Sequence, residues 1–300
     1  MTGEQLIRSL VPRGLRNWLR SPRLTLRRAL DEARYLMGSA EVGEPLPGWQ
    51  VRCHPSVWRE AYSAHVTDPA QARELAAFAR AAQPGMVLFD LGAHYGAFSL
   101  AALHFGGRSA FAVAVDPSPA ATRMLARQAR LNDLGDRLLV IRAGAAEREG
   151  EIALVAAGVI AAGYYVPPSA HHSAGERTRV EAVSVDGLCQ RVGRHPTHLK
   201  IDVEGAEAAV LRGARRTLTS PAPPLVFLEL HSALIRERGG DPREPLDLLR
   251  EAGYELVGWD GAPRTAAELI SADLVRFFAR PREDSPPIDG LPPSPHYRSP

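Results

Sequence analysis

Through the middle of the chain, apolar runs of a strand's length alternate with stretches whose apolar positions recur three and four apart. The first complete unit is "MVLFDLGAHYGAFSLAALHF", residues 86 to 105: a continuous apolar run, a glycine-bearing corner, then helical spacing. The same reading predicts strands at 86–91, 110–115, 137–142, 178–183, 197–203, 224–230, 254–259 and 273–279. Helices are predicted at 96–105, 118–132, 186–191, 205–218 and 243–252. One more helix precedes the series in "DPAQARELAAFARAAQPG", where Asp68 caps, Pro69 suits the first turn and Pro84-Gly85 ends it. Runs such as "LVFLEL" do not alternate, which fits a sheet covered on both faces. Repeated strand–helix units predict a doubly wound, mostly parallel α/β sheet. The last two strands lack a long helix between them and are expected to pair antiparallel at one edge. Residues 144–177 follow no clear period.

The flanks have a different character. Residues 1–48 form an arginine-rich extension: the first 38 residues carry eight arginines against Glu4, Asp31 and Glu32. Leucines and Trp18 lie between them, broken by Pro12 and Pro22, so short helices are expected. Two uses fit, an arm for a membrane surface or acidic partner, or a helical cap packed on the α/β domain. "EVGEPLPGWQ" reads as a connector. The α/β domain is expected over 49–280. The tail, 281–300, has seven prolines and is expected to be disordered.

Composition narrows the class. At 300 residues and 45% apolar content the chain has enough material for a sizeable core. A net charge of +2 makes no general case for nucleic-acid binding. Cys53 and Cys189 form no spaced pair, so neither a disulfide framework nor a zinc site is suggested. No apolar stretch reaches the roughly 18 residues of a membrane span, and the first residues lack the apolar region of a secretory signal. A cytoplasmic, bacterial-type enzyme is the expectation, with weak peripheral membrane contact through the arginine-rich extension left open. All but one of the 36 basic residues are arginine, and the exception is Lys200.

The corner after the first of these strands, Asp90-Leu91-Gly92-Ala93-His94-Tyr95-Gly96, raises the question of its ligand. A dinucleotide corner reads G-x-G-x-x-G, so that backbone amides cradle a pyrophosphate. Here the middle glycine is absent, and a carboxylate stands where phosphate would be repelled. A ligand with a positive end suits the corner better. S-adenosylmethionine carries a sulfonium and an ammonium, and its ribose diol seeks an acidic acceptor. "FAVAVDPSP" supplies one in Asp116, 24 residues after Gly92. Asp116 also reads as a plain helix cap.

The second motif is "THLKIDVEGAEAAVLRGARRTL", residues 197 to 218. Within a strand, Lys200, Asp202 and Glu204 share one face, at the carboxyl edge where open α/β sheets bind ligands. Together, "FDLGAHYGAFSL", "VAVDPSP", "EREGEIAL", "VSVDGLC", "LKIDVEGAEAAVLRGA" and "VFLELH" resemble, in order, FkbM-type S-adenosylmethionine-dependent methyltransferases over about residues 85 to 235. The K-I-D-V-E-G-A-E run is the most characteristic piece. The resemblance implies a class I methyltransferase fold, a sheet of about seven strands with the last one antiparallel, and methylation of a hydroxyl on a sugar or other natural-product scaffold. It also implies that Gly92, Ala93, His94, Tyr95 and Gly96 contact the cofactor, His94 standing where such proteins often carry Asn. Gly144 and Ala145 are expected to supply backbone contacts on the adenine side, with Glu147 a further candidate.

An alcohol acceptor needs a base or a metal at neutral pH. Asp202, Glu204, Glu229 and His231 are the candidates, with Lys200 beside them; His231 has the imidazole range, ordinarily near 6.5. Glu204 also reads as a favourable charge at a helix start, and His231 as a polar strand end. The four groups would suit Mg or Mn, but their spacing does not require one, and a metal-free mechanism is expected. His171 and His172, with Tyr164 and Tyr165, suggest a substrate lid or an ordinary surface loop. Two other classes stay open, a nicotinamide oxidoreductase and a non-catalytic binding protein on the same fold.

Overall fold

A computed structural model describes residues 22–156, 163–165 and 177–282. The histidine pair 171–172, most of the proline tail and the first 21 residues lie outside them. An N-terminal helix, α1 (Pro22–Leu36), leads into a hairpin, β1 (Glu41–Leu46) and β2 (Trp49–Cys53). This corrects the reading of "EVGEPLPGWQ" as a connector: Pro47 and Gly48 (φ 80°) form the turn of a hairpin, with Pro45 inside β1, and the expected boundary at residue 48 falls in that turn. Helical turns over 55–67 follow, and then α2 (Pro69–Ala81), started by the Asp68 cap as expected.

The series then runs β3 (Val87–Leu91), α3 (Ala97–Phe105), β4 (Phe111–Val115), α4 (Pro119–Leu131), β5 (Leu138–Ile141), β6 (Gly144–Ala145), β7 (Gly150–Ala156), β8 (Gly163–Tyr165), β9 (Arg177–Val183), α5 (Val185–Val192) and β10 (His198–Ile201). It continues α6 (Glu207–Arg212), α7 (Arg215–Leu218), β11 (Leu225–Leu230), α8 (Ser232–Glu237), α9 (Glu244–Glu251), β12 (Tyr254–Val257), α10 (Ala266–Ile270) and β13 (Val275–Pro281). The main sheet has seven strands in the order β12-β13-β11-β10-β3-β4-β5, parallel except for β13. The expected antiparallel pairing of the last two strands is present. The reversed strand, however, lies one place in from the rim, between β11 and β12, because it re-enters the sheet beside β11.

Two further expectations change. The strand near 178–183 does not join the main sheet; as β9 it pairs antiparallel with β7 and parallel with β6 in a small second sheet with β8. The helix expected over 205–218 splits at Gly213, whose backbone packs against the carbonyl of Ala146.

Both faces of the main sheet are buried, as the unbroken apolar strands require. Phe89, Leu91, Val113, Val115, Leu199, Ile201 and Leu228 pack on one side; Leu88, Ala112, Ala114 and Phe227 pack on the other with Leu75, Phe78 and Leu100. Asp90, Lys200 and Glu229 occupy strand positions that point to this second side, under α2 and α3. The chain starts outward from β3 in both directions, so the switch point lies between β3 and β10, where open α/β sheets form their ligand crevice.

Candidate active site

At the switch point, Gly92 and its neighbours leave β3 in a turn fastened to the end of β4. The N–H groups of Gly92 and Ala93 both donate to Val115 O (2.8 and 3.0 Å), and that of Gly96 donates to Ala93 O (2.7 Å). His94 N–H donates to Asp116 Oδ2 at 2.9 Å, and Ser118 N–H to Oδ1 at 2.7 Å. Below the turn, the buried Tyr62 hydroxyl donates to Tyr95 O at 2.8 Å. Four of the turn's amides, those of Gly92, Ala93, His94 and Gly96, are therefore committed internally. His94 sits at φ 47° and stacks on Tyr95, the rings 3.8 Å apart; burial pushes its imidazole down to about 4.

Asp90 is buried beneath the turn. Its carboxylate accepts from the N–H and hydroxyl of Ser99 (3.0 and 2.6 Å), fixing the first turn of α3. In the structure its hydrogen-bond partner is the helix start. Burial raises Asp90 and Asp116 to about 6, against the hydrogen bonds each accepts.

Strand register carries the rest of the site to the same edge. Lys200 lies opposite Asp90 on β3 and Phe227 on β11. Asp202 N–H continues the ladder to Leu91 O at 2.9 Å, which seats Asp202 beside Gly92. Here a second correction arises: β10 ends at Ile201, so Lys200, Asp202 and Glu204 do not share a strand face. Lys200 remains in the strand and is 1% exposed; Glu204 occupies a left-handed turn at φ 49°. The Glu204 carbonyl accepts from Arg238 Nη1 at 2.6 Å, and burial raises its carboxyl pKa.

Lys200 is held by charges that the sequence reading missed. Its Nζ is 3.1 Å from Glu74 of α2, 3.8 Å from Glu229 and 3.9 Å from Asp202. Arg276 of β13 closes the group, with Nε and Nη2 on Glu229 at 3.0 and 2.6 Å and Nε 3.1 Å from Glu74. Burial works against the ammonium, but the three carboxylates outweigh it and raise its pKa. Lys200 lies beneath the site as a counter-ion. The signal was available in part: Glu74 stands four residues before Phe78 on the apolar face of α2, and a buried lysine needs an acid.

Above this layer, His231 follows β11. Its Nδ1 pairs with Glu207 Oε1 at 2.8 Å, while Nε2 faces Asp202 Oδ1 at 3.7 Å and Glu229 Oε1 at 3.8 Å. Glu207, the last acid of the V-E-G-A-E run, is fully buried and went unassigned in the sequence reading. Burial opposes a charged ring here, yet the Glu207 hydrogen bond and the three acids raise the His231 pKa above its ordinary value. Asp202 is the most open of the group, its side chain 35% exposed. Asp202, Glu229 and His231 each offer one donor atom within 4.8 Å of the others, a spacing a divalent ion can bridge, although Lys200 Nζ already stands among the carboxylates.

The adenine-side candidates sit differently. Gly144 and Ala145 form β6, a parallel ladder with Ala182 and Val183, so their backbone is used in the second sheet. Glu147 pairs with Arg212 at 2.8 Å.

A switch-point crevice on a seven-stranded sheet with β13 reversed, floored by a glycine turn and walled by acids, defines a class I methyltransferase-like architecture. The FkbM methyltransferase domain matches residues 90–256, more than half of the chain, and the protein belongs to that family. Among solved structures, it is similar to Aeropyrum pernix fibrillarin with bound S-adenosyl-L-methionine (13% identity, 66% of this chain and 67% of that one, TM-score 0.39). It is similar to a Geobacter metallireducens precorrin-6y C5,15-methyltransferase (13%, 70% and 86%, 0.40) and to a Bacillus cereus O-methyltransferase in complex with SAH (11%, 71% and 80%, 0.38). No curated protein matches the sequence significantly. Among the described residues no helix is long and apolar enough to cross a membrane.

Proposed function

We propose that this methyltransferase moves a methyl group from S-adenosylmethionine to a hydroxyl of a small molecule, a sugar or other natural-product scaffold, with His231 as general base. The observation that carries the reading is the Glu207–His231 pair standing next to Asp202 at the crevice, one strand from the glycine turn. The residues present suit the cofactor. Asp116, at the end of β4, is the ribose acceptor; the turn from Gly92 to Gly96 supports the nucleoside; the half-open Asp202 favours the cationic methionine end. A nicotinamide dinucleotide suits the turn less well, because the amides of Gly92, Ala93, His94 and Gly96 already bond Val115, Asp116 and Ala93.

When bound, the cofactor supplies a methyl group activated by its sulfonium. The protein must hold the acceptor oxygen in line and take its proton. With Glu207 accepting from Nδ1–H, the free lone pair of His231 is on Nε2, toward Asp202. Asp202 steadies the imidazolium that forms, and Lys200 with Arg276 balances the surrounding acids. Glu204 borders the same opening and orients the acceptor. Turnover to S-adenosylhomocysteine with supplied acceptors, and calorimetry with S-adenosylmethionine against NAD, test the reading; binding of NAD alone overturns it.

Two results follow from single residues. Asp116→Ala is expected to weaken S-adenosylmethionine binding by about 1.5–3 kcal/mol, the worth of a charge-assisted hydrogen bond. Unchanged affinity in a folded variant removes Asp116 from the ribose site. For wild type, kcat/KM should rise with pH through the His231 pKa, above the ordinary imidazole value, because only the neutral ring accepts a proton. Glu207→Gln keeps a hydrogen bond but removes the charge that favours the imidazolium, so the rising limb should move to lower pH. A limb that stays in place assigns the titration to another group.

A further inference from the structure

Helix α1 is turned inside out relative to an ordinary surface helix. Its polar residues Arg28, Asp31, Glu32 and Tyr35, spaced i, i+3, i+4, i+7, face the protein. Arg28 pairs with Glu60 (2.7 and 3.0 Å), Asp31 with Arg59 (2.5 Å) and Glu32 with Arg127 (2.6 and 2.8 Å). Tyr35 packs on His54, with Arg127 over its ring. The opposite side carries Leu26, Leu30, Ala33 and Met37, and the three large side chains are 60%, 57% and 76% exposed. Met37 N–H still bonds Ala33 O, so the stripe runs through the helix end. Arg27 and Arg34, both exposed, flank it on one side, and the helix's two acids are both on the docked face.

We infer that this outer face of α1 seats the protein on a bilayer rich in anionic lipid. An apolar stripe bordered by arginines, on a helix held by its polar side, has the arrangement of an interfacial helix: leucines and methionine enter the headgroup boundary while guanidinium groups meet lipid phosphates. The sequence just ahead, with Arg8, Arg13, Arg16, Arg20, Trp18 and Leu19, has the same cationic and apolar composition. A second copy of the chain fits less well, since its arginines would meet these across the same stripe. The two expected uses of the extension, packed cap and membrane arm, are combined in one helix. The inference stands on the helix alone and does not depend on the reaction proposed above.

Flotation of the full chain with vesicles of equal parts phosphatidylglycerol and phosphatidylcholine tests it. The protein should bind these vesicles, bind phosphatidylcholine alone at least ~10-fold less, and dissociate as salt screens the headgroups. The double variant Leu26→Glu/Leu30→Glu, which changes only exposed positions, should lose at least ~10-fold in vesicle binding with its melting temperature unaltered. Absence of binding by the wild type overturns the inference. So does a double variant that binds as wild type, or a wild-type dimer that the double variant turns into a monomer.

Discussion

His231→Ala is expected to lower turnover by on the order of 10² to 10⁴, the usual worth of a positioned general base, while cofactor affinity stays within a few-fold. The selectivity follows from position. His231 touches Glu207, Asp202 and Glu229 but none of the backbone that shapes the glycine turn. Truncation leaves the buried Glu207 with only the Gly205 N–H (3.0 Å) on its Oε1, which costs about 1–3 kcal/mol of stability, so melting must be followed alongside. The double variant H231A/E207Q removes the buried charge left without its imidazole and should turn over no faster than H231A. If activity survives the substitution and vanishes with a chelator, Asp202 and Glu229 hold a divalent ion and the histidine is not the base. If neither matters, the base lies elsewhere, and the segment with His171 and His172 is the next place to search.

Much of the fold was legible because it rests on period and punctuation. Each predicted strand of the main sheet is present within a few residues, since buried parallel strands are short, unbroken and apolar, and Asp68, Gly96 and Pro119 mark helix starts. What was missed depends on pairing, which local pattern does not carry. Residues 177–183 read as a strand either way; only its partner, the antiparallel β7, removes it from the main sheet. The β1–β2 hairpin was hidden by two prolines in the turn region and only eleven strand residues.

The site divided along a similar line. Residues on the strand ends, Asp90, Asp116, Asp202 and His231, were legible as candidates because a polar group ending an apolar run marks the carboxyl edge. Their partners come from elements distant in sequence. Glu74 lies on α2 and Arg276 on β13, 126 and 76 residues from Lys200, and helix packing and strand register bring them together. Glu207 was in view inside the motif, but its role depends on the strand ending at Ile201. A longer strand would have turned that carboxylate elsewhere.

That strand end gives the second large effect. Gly92→Ala is expected to cost about 3–5 kcal/mol and to lower the melting midpoint by roughly 10 °C. Two penalties combine. At φ 83° an alanine pays roughly 1–2 kcal/mol for the left-handed backbone. Its Cβ would also overlap the carbonyl oxygen of Asp202, which is backbone and is fixed by the Asp202 N–H to Leu91 O bond. Relief requires β3 and β10 to part at their carboxyl ends, where the glycine turn and Asp202 face the crevice, so S-adenosylmethionine binding should fall with stability. Gly85→Ala separates the two penalties: its φ is 77°, yet a Cβ there meets nothing closer than Ser109 Oγ at 3.5 Å. That variant should show the conformational penalty alone and bind cofactor normally. Equal melting losses at the two positions would mean that β3 and β10 tolerate the extra carbon, and that the turn is not packed against Asp202 as tightly as the structure describes.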